Sequence, residues 1–161
     1  MPVDRMTLNY PPEHFLNREL SLLQFQRRVL AQAADPTVPL LERLRFLCIV
    51  SSNLDEFFEI RVSGIKEQIR IGSRKSGEDG IAPVELLERV SDEVHEIISE
   101  QYQLLNGDIL PALEKEGVVF LRRSLWTEAQ RAWIHDYFMR EVMPVLTPIG
   151  LDPAHPFPRV L

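Results

Sequence analysis

Cysteine is nearly absent from this chain of 161 residues: Cys48 stands alone. It can form no internal disulfide and no cysteine cluster around a metal. Its neighbours Phe46, Leu47, Ile49 and Val50 predict a small buried apolar residue, in keeping with a cytoplasmic protein. Glycine is scarce too, with seven in all, and none falls in a Walker loop or a GxGxxG turn. HExxH and GxSxG are also missing, which removes the common zinc-protease and serine-hydrolase chemistries. The four histidines, His14, His95, His135 and His155, are scattered without metal-ligand spacing. His95 and His135 fall among charged neighbours and read as surface residues, and His155 lies in a loop between prolines. No apolar run reaches the roughly 18 residues that a membrane span needs, and Met1-Pro2-Val3-Asp4-Arg5 lacks the apolar core of a signal peptide. Excess positive charge is missing as well: the formal net charge is −6, which disfavours nucleic acid as a partner.

What is present is an ordinary globular composition, 45% hydrophobic and 26% charged. The pattern is mainly α. Residues 1–16 read as an extended arm. Ser21 with Gln24 fits a capping box, opening a helix to about Ala34 with Leu22, Phe25, Val29 and Ala33 on its buried face. Asp35-Pro36-Thr37-Val38-Pro39 is a turn. A second helix over 39–50 is apolar nearly all round from Phe46 onward, the mark of a buried helix. A third, starting at Asn53, runs to about Ile71 with Leu54, Phe57, Phe58, Val62, Ile65 and Ile69 inward. Gly72 to Gly80 is a polar, mobile loop. Pro83 opens one long helix with apolar residues at helical spacing over about 30 positions, kinked or ended near Asn106-Gly107 by Pro111. Such a length also suits pairing with a partner.

After Gly117 the character changes. Val118-Val119-Phe120-Leu121 predicts a strand, Thr127 with Gln130 a second capping box, and 128–143 a helix with Trp133, Ile134, Phe138 and Val142 inward. Val145 to Ile149 predicts a second strand. The expected architecture is thus a bundle of antiparallel helices over 1–115 followed by a short, incomplete α/β segment over 116–161. The end, Val160-Leu161 directly after a loop-like stretch, fits a piece of a longer protein.

Polar chemistry concentrates at Ser51-Ser52-Asn53-Leu54-Asp55-Glu56-Phe57-Phe58, inside an apolar helical run, with Arg61 just beyond it among apolar residues on the helical wheel. Buried polar groups need partners. Asn53 either caps the third helix, with Asp55 and Glu56 favoured in its first turn, or holds a polar ligand such as a nucleotide at that helix N-terminus. Arg61 either pairs with an acid such as Glu19 or Glu42, snorkels along its stem, or contacts an anion, for which a guanidinium fork is suited. Arg27, Arg28, Arg43 and Arg45 read as solvated or interhelical charges.

Three stretches, Asn17-Arg18-Glu19-Leu20-Ser21-Leu22-Leu23-Gln24-Phe25, Pro39 to Leu47 and Ser51 to Val62, resemble the N-terminal region of the polyphosphate kinases that work through a phosphorylated histidine. The tail, Leu146-Thr147-Pro148-Ile149 with Asp152 to Pro158, is similar to the start of that family's second domain. The resemblance implies a helical N domain over 1–115 and the beginning of a head domain over 116–161, within a chain that continues into two phospholipase-D-like domains. It implies an enzyme making inorganic polyphosphate reversibly from ATP with Mg²⁺, as a homo-oligomer of two or more chains. It places Asn53 at the family's ATP contact, in a domain that roofs the active-site tunnel, and puts the phosphoacceptor histidine outside this chain. Where some members carry two asparagines, this chain has Ser52-Asn53, so the contact residue is kept. Arg61 also matches the pattern, without an implied ligand. The implied location is the cytoplasm, including a peripheral place at the inner membrane. The segment alone is expected to lack kinase activity. The rival reading is a helical assembly module with no ligand site of its own.

Overall fold

The computed structural model describes residues 10–73, 75–147 and 150. It divides into two compact units, Met1–Val119 and Phe120–Leu161. The first is a helical bundle, as the periodicity predicts. Helix α1 spans Arg18–Ala34, α2 Leu40–Glu56, α3 Ser63–Arg70, α4 Pro83–Leu104 and α5 Leu110–Lys115. Its core joins Leu23, Leu30 and Ala33 of α1, Leu47, Val50 and Leu54 of α2, and Val90, Val94 and Ile97 of α4, closed by Ile109 and Leu113.

The cap of α1 lies four residues before the expected one at Ser21. Asn17 is the N-cap and its Oδ1 accepts from Leu20 N–H at 3.0 Å. Asn17 Nδ2 also donates to Asp79 Oδ2 at 2.7 Å, so the Gly72–Gly80 loop, read as mobile, is tied to the start of α1. The buried stripe of α1 is Leu23, Gln26, Leu30 and Ala33. Of the expected face only Ala33 is fully buried, while Leu22 and Phe25 are exposed. The two stripes lie one position apart on the wheel, and both carry apolar residues, so periodicity alone could not choose between them. Cys48 is likewise exposed, against expectation, because α2 buries only one side and Leu41, Cys48 and Ile49 lie on the other.

No break separates the second and third predicted helices. Helix α2 runs through Ser51, Ser52 and Asn53, continues as a π-helical stretch over Phe57–Val62, and passes into α3 with helical backbone angles at each junction. The long fourth helix behaves similarly. Pro111, which can donate no N–H, follows a π-helical stretch at Leu105–Ile109, where Leu110 N–H reaches back to Leu105 carbonyl. Gly72 and Gly117, with φ of 70° and 82°, end α3 and α5. In each case the next residue donates back to the helix, Ser73 to Gln68 and Val118 to Leu113, both at 2.9 Å, the glycine-terminated cap that only a residue tolerant of positive φ closes without strain.

Polar residues fasten the helices. Arg43 is buried; its Nε donates to Ala33 carbonyl at 2.7 Å, satisfying the end of α1, and its Nη2 pairs with Asp108. Arg27 crosses from α1 to α4, pairing with Glu93, with Glu96 at 2.6 Å and with Glu100 at 3.4 Å. The hydrogen bond it donates to Glu93 is the chief reason its guanidinium is held even more firmly in the charged form. Gln101 of α4 donates to Leu47 carbonyl and Ser51 Oγ of α2 at 3.1 and 2.7 Å. At the α1–α2 turn, the hydroxyl and then the N–H of Thr37 donate to Asp35 and hold its carboxyl below the usual range.

The second unit holds α6, Glu128–Tyr137, opened by Thr127 with both bonds of the predicted capping box. Val118 to Leu121, expected to be a strand, is irregular and exposed, and no strand occurs among the described residues. β-Branched composition favours extension, but a strand exists only with a ladder partner. Val145, expected to open a second strand, closes a short 3₁₀ turn; Pro148 and Ile149 lie outside the described residues, as does the tail with His155.

Candidate functional site

Asn53 sits in the last turn of α2, three residues before Glu56, with its backbone inside the helix that continues beyond it. It is therefore not a cap, and the idea of a ligand held on free N–H groups of a helix N-terminus is overturned. Its side chain is the part that matters. It is half-buried and its Nδ2 donates to Gln26 Oε1 of α1 at 3.0 Å. Asp55 and Glu56, which a helix N-terminus would favour, are exposed residues of an unbroken helix.

Around this amide pair lies a cleft of about 250 Å³, lined by Leu22, Phe25 and Gln26 of α1 and by Asn53, Glu56, Phe57, Ile60 and Arg61. The two residues singled out in the sequence thus share one opening. Their convergence has a geometric cause. In an uninterrupted α-helix, residues eight apart sit about 80° apart around the axis. The π-helical stretch Phe57–Val62 has a wider turn, so each residue advances by a smaller angle and Arg61 falls back toward the side of Asn53 and Phe57. No ion pair joins Arg61 to Glu19, Glu42 or any other acid among the described residues. Glu56 is the one acid on the cleft wall.

The exposed apolar residues of α1 acquire a meaning here. Leu22 and Phe25, misplaced in the core by periodicity, form one wall of the cleft, and Phe57 and Ile60 form part of the other. Apolar walls, an amide pair and a guanidinium suit a ligand that is aromatic at one end and anionic at the other. Gln26 escaped notice in the sequence. The available signal was a polar residue on the stripe Leu23-Gln26-Leu30-Ala33, where each buried polar group needs a reason.

The histidines stay outside this constellation. His14, His95 and His135 are exposed, and His95 Nδ1 lies 2.7 Å from Ser91 carbonyl on its own helix. No group of three or more His, Cys, Asp or Glu that could hold a metal occurs among the described residues. No described helix is long and apolar enough to cross a membrane.

Fold and site together define a helical bundle with a mixed apolar, amide and guanidinium cleft. Residues 15–121 match the family model described as "Polyphosphate kinase N-terminal domain", and 129–161 match the one described as "Polyphosphate kinase middle domain". A polyphosphate kinase of Burkholderia multivorans is 54% identical over 97% of this chain and 22% of its own length, and one of Paraburkholderia phytofirmans 53% identical with the same coverage. The crystal structure of polyphosphate kinase from Porphyromonas gingivalis is similar with a TM-score of 0.68 and 28% identity, over 89% of this chain and 20% of that one. The chain belongs to the polyphosphate kinase family. It spans about 22% of the length of the curated relatives it matches, at their N-terminal region.

Proposed function

We propose that this segment, within a complete polyphosphate kinase, supplies one wall of an ATP site and no group that takes the phosphoryl. The observation that carries the reading is the half-buried Asn53 amide opening, with Arg61, onto an aromatic-walled cleft. Phe25, Leu22 and Phe57 offer apolar surface to a purine, Asn53 a polar edge, and Arg61 a cation toward the phosphate end. Phosphoryl transfer depends mostly on positioning and charge stabilisation, so a wall that orients the nucleotide contributes without reacting. On this reading 1–115 roofs the active-site tunnel as the N domain and 116–161 begins the head domain, with the phosphoacceptor histidine on another part of the protein. The complete protein makes inorganic polyphosphate reversibly from ATP, as a cytoplasmic homo-oligomer. The complete protein uses Mg²⁺ with ATP on this reading, and no residue of this segment is put forward as its ligand.

Asn53→Ala in the complete enzyme tests the site. The expected result is a rise in KM for ATP of about tenfold, the loss of one hydrogen bond to the ligand, with the oligomer intact. A lost oligomer with unchanged kinetics supports the assembly reading instead. The purified 161-residue chain is expected to make no polyphosphate from ATP and Mg²⁺.

A further inference from the structure

Asn106 and Gly107 form the single Asn-Gly pair of the sequence; the other asparagines precede Tyr10, Arg18 and Leu54. Packing does not explain this glycine. A side-chain carbon at Gly107 would meet no described atom within 4 Å, and its φ is not positive. Both residues are exposed. They lie in the π-helical stretch Leu105–Ile109, where Leu110 N–H returns to Leu105 carbonyl. Three features weaken this turn. Glycine is a poor helix former. Pro111 has no N–H to offer the Gly107 carbonyl four residues back. The π-helical turn itself departs from the regular ladder. Two fastenings oppose them: Asp108 pairs with the buried Arg43 of α2, and Ile109 is fully buried in the core. Asn106 Nδ2 donates to Tyr102 carbonyl at 2.9 Å, which draws the side chain back along the helix and away from the Gly107 nitrogen.

We propose that Asn106 is a site of spontaneous deamidation, gated by local opening of this turn and held in check by the Arg43–Asp108 pair. Local opening is cheapest where a helix is exposed and poorly bonded. In the opened turn the Gly107 backbone nitrogen, with no side chain beside it to block the approach, attacks Asn106 Cγ. The new C–N bond closes a succinimide ring. The Gly107 N–H proton passes through water to the departing amide nitrogen, which leaves as ammonia. Water then adds across one of the two imide C–N bonds and leaves an aspartyl or isoaspartyl residue at position 106. Either product exchanges a neutral amide for a carboxylate two residues from Asp108. The isoaspartyl form also lengthens the backbone by one methylene, which upsets the spacing that brings Asp108 to Arg43. The modified turn is thus less well fastened than the original.

The test ages the complete enzyme in mildly alkaline buffer, folded and in urea, as parent, Arg43→Ala and Gly107→Ala. Peptide mapping by mass spectrometry reads the amide-to-acid conversion at each asparagine, and methylation by an isoaspartate methyltransferase counts the isoaspartyl product. Position 106 is expected to convert ahead of Asn17 and Asn53 in both states, and at least about tenfold more slowly when folded, because only the opened turn reacts. Arg43→Ala is expected to raise the folded rate about tenfold and leave the rate in urea unchanged, since the charge-assisted bond exists only in the fold. Gly107→Ala, which shields the attacking nitrogen and favours the helix, is expected to suppress conversion in both states. A folded parent that converts position 106 no faster than Asn17 or Asn53 overturns the proposal. So does a folded Arg43→Ala enzyme that keeps the parental rate, or one that speeds all three asparagines alike, the mark of global unfolding. Where Arg43→Ala does not fold, Arg43→Lys takes its place: a single ammonium cannot serve both Ala33 carbonyl and Asp108 as the guanidinium does, and an unchanged folded rate there is equally fatal.

Discussion

The two units of this chain reach helical structure by opposite routes. In the first, side-chain caps are sparse: α2 follows Pro39 and α4 follows Ala82, neither with a side-chain hydrogen bond to the helix end. The helices there are held by burial, with Leu23, Ala33, Val50, Ile97 and Ile109 at or near zero exposure. In the second unit α6 has a complete capping box, yet it buries no residue among those described. Trp133 and Phe138, expected inward, are 67% and 40% exposed, and Trp133 merely stacks on Tyr137 one turn away, ring centroids 5.4 Å apart. Local signals suffice to start and stop a helix, but only a second layer gives its apolar face somewhere to go.

The sharpest way to break that comparison is a pair of truncations in the 161-residue chain. Leu23→Ala is expected to cost about 2–5 kcal/mol, a transfer term plus the cavity left behind, read as a fall in unfolding midpoint. Trp133→Ala should stay within about 0.5 kcal/mol, since it leaves no cavity. Equal losses would refute the contrast. Next in size is Arg43→Ala, which strips α1 of its partner at Ala33 carbonyl and leaves Asp108 unpaired. About 2–4 kcal/mol is expected by denaturant titration, less than for a fully buried pair because Asp108 is half exposed. Smallest is Thr127→Ala. It removes the cap and should cost about 1 kcal/mol of α6, seen as faster amide exchange in Glu128–Gln130 with no change in the protection of α1 or α4. A global loss of protection would show that the units do not stand apart.

Much of the helical layout could be read from the chain, because it rests on local chemistry. Pro83 at the first position of α4, glycine at the ends of α3 and α5, and the box at Thr127 all behave as their residue types require. The candidate site was legible in part. Asn53 and Arg61 stood out as polar residues in an apolar run, and they do share a cleft. Its cause was misread: a polar cluster looked like a break between helices, whereas the helix continues and widens. Gln26 was hidden because its stripe and the stripe of Leu22 and Phe25 are both apolar at helical spacing.

The amino-acid order by itself determined where most of the helices form and which family's pattern the chain carries. Those properties depend on neighbours within a turn or two, or on composition. Tertiary structure alone decided which of two stripes on α1 faces the core, that Cys48 faces outward, and that an amide on α1 meets an amide on α2. These are choices among faces of similar polarity, and only the packing of one helix against the next can distinguish them.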